Sequence, residues 1–97
     1  MTIVHIVIAK FKPEVSEEIK QQALVDVLAL KDTIPQIKSA SAGKTFTDRS
    51  KGFEYSWVVE LDTKEELGIY AEAPSHVDFV KKYRPMMDDL IAVDYEK

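Results

Sequence analysis

Ile3-Val4-His5-Ile6-Val7-Ile8-Ala9-Lys10-Phe11 is the stretch that decides how this chain folds. Successive side chains of an extended strand alternate between faces. Ile3, His5, Val7, Ala9 and Phe11 therefore share one side, and Val4, Ile6 and Ile8 the other. Both sides are apolar, which predicts a strand covered on two faces. Helices of the same chain supply one cover. The other has to come from elsewhere.

Beyond Phe11, Pro13 breaks the strand and Ser16 is a natural N-cap, with Glu17 and Glu18 in the favourable first turn. Ile19, Ala23, Val27 and Leu30, flanked by Leu24 and Leu28, recur at helical spacing, and Pro35 ends that helix near Thr33. Lys38 to Thr47 reads as a second, plainer strand, and Asp48 to Gly52 as a polar loop with a glycine turn. The third strand is expected over Phe53 to Leu61, with Phe53, Tyr55, Trp57, Val59 and Leu61 on one side. Thr63-Lys64-Glu65-Glu66 matches a capping box, and its helix runs through Leu67 and Tyr70 to Pro74. Ser75 is placed to cap a fresh helical segment carrying Phe79, Val80, Tyr83 and Met87, with a break at Pro85. Leu90 to Tyr95 closes the chain as a short strand.

The order is β-α-β-β-α-β, the ferredoxin-like α+β arrangement. Its helices cover one sheet face and leave the other bare. A bare face this apolar, with the aromatic side of Phe53, Tyr55 and Trp57, predicts burial against a second copy: a homodimer closing into an α+β barrel.

At 97 residues the chain is a single domain, residues 1–97, with a modest core. Its 45% hydrophobic and 31% charged residues place it among globular rather than disordered chains. No apolar run is long enough for a bilayer, and Met1 to His5 lacks a basic leader region, so no membrane partner is expected. The absence of cysteine excludes disulfides, thiolate zinc sites and a cysteine nucleophile, and favours the cytoplasm. A net charge of −4 with scattered lysines argues against nucleic acid.

Two histidines remain to carry chemistry. Imidazole exchanges protons near neutral pH. His76, just after the Pro74 break, sits where a helix N-terminus disfavours its charged form, so it is either a neutral base or a plain capping residue. Tyr70 is either an oxyanion donor or a core aromatic with a wet tip. His5, amid apolar neighbours, is either a core histidine satisfied by a backbone carbonyl or one of few polar groups in a pocket. Taken alone, its strand allows that pocket on the bare sheet face. With His76 added, the pocket is expected between sheet and helices of one subunit. No metal-ligand spacing, glycine-rich phosphate loop or nucleophile elbow occurs, so no metal is expected.

Val4-His5-Ile6-Val7, Lys10-Phe11-Lys12, Ile34-Pro35, Gly43-Lys44, Pro74-x-His76-Val77 and Asp94-Tyr95 together resemble the stress-responsive A/B barrel, or Dabb, family from end to end. Within it, the chain is similar to a plant polyketide cyclase. That resemblance implies a cofactor-free site with His5, Tyr70 and His76 as catalytic residues. It also implies a small hydrophobic or polyketide-like ligand held by Val7, Leu24, Val27, Val59, Phe79 and Met87. Two departures stand out. The family's His-Pro-x-His segment reads Ala73-Pro74-Ser75-His76, and the aromatic pocket floor is replaced by Ala23, Leu24, Val27 and Met87. A different or roomier pocket follows. Three functions are consistent with this sequence: a cyclase closing a poly-β-keto chain, a non-catalytic stress or scaffold protein, and, by fold analogy, a haem-degrading or cofactor-free monooxygenase.

Overall fold

A computed structural model describes residues 1–97. Strand β1 (Ile3–Phe11) is followed by helix α1 (Glu17–Thr33), strands β2 (Ser39–Lys44) and β3 (Tyr55–Leu61), helices α2 (Lys64–Glu72) and α3 (Pro74–Tyr83), a 3₁₀ turn (Arg84–Met86) and strand β4 (Met87–Glu96). The sheet is antiparallel in the order β2-β3-β1-β4, the ferredoxin-like arrangement expected.

Local chemistry sets the helix boundaries. Ser16 caps α1 by accepting from the Ile19 amide, and Thr63 with Glu66 forms a complete capping box on α2. The expected cap at Ser75 is not found. Ala73 holds the N-cap of α3 and Pro74 the first helical position, where a missing N–H costs nothing. The Ser75 hydroxyl instead accepts from Thr33 at 2.8 Å, tying α3 to the end of α1. Ahead of β3, Gly52 turns the chain at φ +89°, a conformation that side chains rarely adopt.

Strand limits shift where sequence pattern is weakest. β2 and β3 are shorter than their alternation suggested, and β4 begins at Met87 rather than Leu90. Met87 thus opens a strand instead of closing a helix. Asp88 and Asp89 lie in β4, an edge strand, where charge is tolerated.

Register fixes the faces. On the helix side lie Ile3, His5, Val7, Ala9 and Phe11 of β1 with Tyr55, Trp57, Val59 and Leu61 of β3; apart from half-buried His5, all are buried. Tyr55 and Trp57 therefore belong to the core with α1 and α3, and not to the bare face. The bare face carries Val4, Ile6 and Ile8, flanked by Val58 of β3 and by Ile91, Val93 and Tyr95 of β4. The last three are 44%, 54% and 52% exposed, an unpartnered apolar stripe. No helix is long and apolar enough to cross a membrane.

Candidate active site

The break between α2 and α3 does more than bend the chain. Pro74 has no N–H to continue α2, and the carbonyls of that helix's last turn lose their intrahelical donors. Tyr70 recovers one from the Ala73 amide. Ala71 recovers one from the ring of His76, whose Nδ1 lies 3.0 Å from the Ala71 oxygen. A carbonyl oxygen only accepts, so the proton sits on Nδ1 and Nε2 is left with its lone pair.

His5 is anchored through the same nitrogen by a different group. Its Nδ1 donates to Asp94 Oδ1 at 2.5 Å, across the β1–β4 register that sets the two residues opposite each other. Satisfaction by a backbone carbonyl, the simplest expectation for this residue, is replaced by a carboxylate. Asp94 was missed as a site residue. Its signal was an acid continuing the helix-side alternation Leu90, Ala92, Asp94, and that signal has meaning only once the strand is in register.

Tyr70 lies with its ring 5.6 Å from that of His5 and 4.4 Å from that of His76. It is 1% exposed, and its hydroxyl is buried with no hydrogen-bond partner. Burial pushes its pKa up to about 12. Burial also pushes the His76 pKa below 6.5; its bond to Ala71 opposes this in part, and charge on His5 adds to the lowering. The sequence pointed to the same direction, but through the helix N-terminus rather than desolvation.

Both imidazoles line one cavity of about 340 Å³ between sheet and α3. Its floor is Val7, Trp57, Leu90 and Ala92, its roof Phe79, Val80 and Tyr83, and its far end Arg84 and Met87. The cavity lies on the helix side of the sheet, and all its lining residues come from this one chain. Of the residues expected from sequence, His5, His76, Val7, Phe79 and Met87 line this space. Tyr70, Leu24, Val27 and Val59 do not: they are buried in the core. Trp57 and Arg84, which do line it, were not singled out. Trp57 read as part of an aromatic strand face, and Arg84 as one of several scattered cations. No cluster of metal-ligating side chains accompanies the histidines.

This chain and its fold have relatives. The pattern of the Stress responsive A/B Barrel Domain (Dabb) matches residues 3–97. The chain belongs to that family. Olivetolic acid cyclase of Cannabis sativa is 31% identical to it over an aligned length of 97 residues that covers 98% of this chain and 96% of the cyclase. Two solved structures share the Dabb protein's fold. A hydroxynitrile lyase from Passiflora edulis superposes with a TM-score of 0.90 at 20% identity, over 97% of this chain and 91% of the lyase. A dimeric ferredoxin-like protein of unknown function from Thermobifida fusca gives 0.88 at 23% identity, over 100% and 92% of the two chains.

Proposed function

We propose that this Dabb protein is a cofactor-free cyclase that closes a linear poly-β-keto chain, or a similar small ketone, by an intramolecular aldol-type step. The observation that carries the reading is the pair of imidazoles lining one apolar cavity, each anchored at Nδ1 and each with Nε2 unengaged. The likeness to a plant cyclase over nearly the whole chain supports it.

In this mechanism His76 is the base. Desolvation favours its neutral form, and charge on His5 further disfavours charge on His76. Nε2 of His76 takes a proton from the carbon between two carbonyls. The resulting carbanion attacks a second carbonyl carbon of the same chain, forming the new C–C bond and an alkoxide. For this step His5 must carry a proton on both nitrogens; with Nδ1–H held by Asp94 it donates from Nε2 to that oxygen, and the proton taken up by His76 then passes through solvent to His5, restoring both rings. The adduct retains every atom of the substrate, so no co-reactant is needed. Tyr70 serves as a support, its ring packed against both imidazoles. The apolar walls fold the substrate and hold the reacting carbons close, an orientation effect on top of base catalysis.

The test is turnover of linear polyketides or β-diketones by wild type and His76→Gln. Loss of about two orders of magnitude or more is expected, with stability changed by less than about 1 kcal/mol. No turnover in wild type, together with His76 titrating like a free histidine near ~6.5, replaces this reading with a non-catalytic scaffold.

Homodimerisation through the bare face is part of the proposal, supported by the apolar stripe of β1 and β4 and by the dimeric ferredoxin-like neighbour. A stable interface there buries at least about 1,000 Å². Sedimentation of a folded 11.0 kDa monomer at micromolar concentration refutes it.

A further inference from the structure

Arg84 is the single Asp, Glu, Lys or Arg among the cavity-lining residues. It follows the last turn of α3 and opens the 3₁₀ turn, with helical backbone angles, at the opposite end of the roof from His76. Eight residues of helical rise separate the two, about 12 Å along the axis. One guanidinium nitrogen, Nη1, donates to the Met87 carbonyl at 3.3 Å. None of the ion pairs in the structure includes Arg84. A guanidinium has five N–H donors in a fixed fork, so most of its capacity is unspent.

A basic residue at a helix C-terminus has a local explanation in the helix dipole. Here Lys81 and Lys82 already occupy the last turn of α3, and neither lines the cavity. What distinguishes Arg84 is that its charge borders an apolar space with proton-transfer groups at the other end. A cationic ligand would meet that charge with no acid lining the cavity to offset it. A planar oxyanion matches the fork in two parallel hydrogen bonds.

We propose that Arg84 is a specificity-determining residue that anchors an anionic group of the ligand, a carboxylate or a phosphate, while an apolar chain reaches along α3 toward His5 and His76. This rests on the cavity being the ligand site of the proposed cyclase, and it narrows the substrate class to amphiphilic chains with an acidic terminus.

Trp57 is the chain's single tryptophan and lies in the cavity floor, so its fluorescence reports occupancy without any turnover. Decanoate, decyl phosphate and decanol are titrated into wild type, Arg84→Gln, Arg84→Lys, His5→Gln and His76→Gln. Wild type is expected to bind at least one anion about tenfold or more tighter than decanol. The anion preferred identifies carboxylate or phosphate as the natural group. Arg84→Gln should lose that preference while binding decanol unchanged, and Arg84→Lys should retain part of it. The preference should also shrink with added salt, because Arg84 is exposed. Both histidine variants should keep it. Equal affinity for anion and alcohol, no anion binding up to the solubility limit, or a preference that survives in Arg84→Gln overturns the proposal. So does a preference abolished by His5→Gln, which would assign the anchor to that ring. Failure of the cyclase reading looks different: anion-selective binding intact, with no ketone turned over.

Discussion

His5 is oriented by a carboxylate 89 residues away in sequence, whereas His76 is oriented by a carbonyl 5 residues back. The ring on the helix is held by a local device. Pro74 frees a carbonyl, and the next residue able to donate a ring proton satisfies it. The ring on the strand is held only because β1 and β4 pair in one register. The two anchors also differ in kind. Asp94 offers a charged acceptor and Ala71 a neutral one, and charge-assisted hydrogen bonds are roughly twice as strong. The difference teaches that two chemically identical side chains in one cavity can be assigned different roles by their partners.

The sharpest way to break this comparison is Asp94→Asn. An amide turned to present its NH₂ to Nδ1 would favour the other tautomer of His5, and the negative charge behind the ring disappears. Turnover should fall on the order of ten- to a hundredfold, the worth of one charge-assisted hydrogen bond. Retention of full activity would show that His5 needs no acid behind it.

Pro74→Ala addresses the local anchor. It restores the N–H that α2 lacked and lets the helix continue, giving the late carbonyls of α2 backbone donors again. Ring ¹⁵N shifts should show His76 moving from a single Nδ1–H tautomer toward a mixture. Activity should drop by roughly two- to tenfold, the range for a neutral hydrogen bond. An unchanged tautomer would mean that the proline break is not what sets it.

Tyr70→Phe separates support from chemistry. The hydroxyl is buried without a partner, so its removal should leave thermal stability equal or raise it by about 1 kcal/mol. Turnover should change less than in either anchor variant, because the ring still packs between the imidazoles. A loss as large as that of His76→Gln would make the hydroxyl itself catalytic.

The smallest effect is in the titration of His76 itself. With only two histidines, its NMR titration is readily assigned, and the midpoint should lie below 6.5, as burial and the charge on His5 require. His5→Gln should move it back upward. For stability, the sign follows from the folded state binding fewer protons than the unfolded chain. His76 makes no demand above ~6.5, and stability falls as pH drops through that value toward the lower folded midpoint. His76→Gln should flatten that part of the stability profile.

Much of this was legible in the sequence. Ser16, Thr63 with Glu66, and the prolines mark helix ends because capping and the missing N–H act over four residues or fewer. The same locality made the break before His76 readable. Met87 reads as helical in sequence but opens β4, because one turn of helix and the start of an edge strand look alike in so short a stretch. The alternation of Tyr55 and Trp57 is plain in the sequence, yet their side is the helix side and not the bare face. Period-two patterning says which residues share a side, but not which side the helices cover.

By itself, then, the sequence determined the order of elements, the α+β class, the two-sided apolarity of Ile3–Phe11 and the local setting of His76, because each depends on neighbours within a few bonds or on simple periodicity. Only the tertiary structure decided that Asp94 stands behind His5, that Tyr70 lies beside both rings, that Leu24, Val27 and Val59 are core rather than cavity wall, and that Arg84 borders the same cavity as the histidines. These are relations across the sheet register and the α3 packing. A chain whose first strand is apolar on both faces carries no local mark of which face will be roofed, so the contacts that define the site exist only once helices and strands have met.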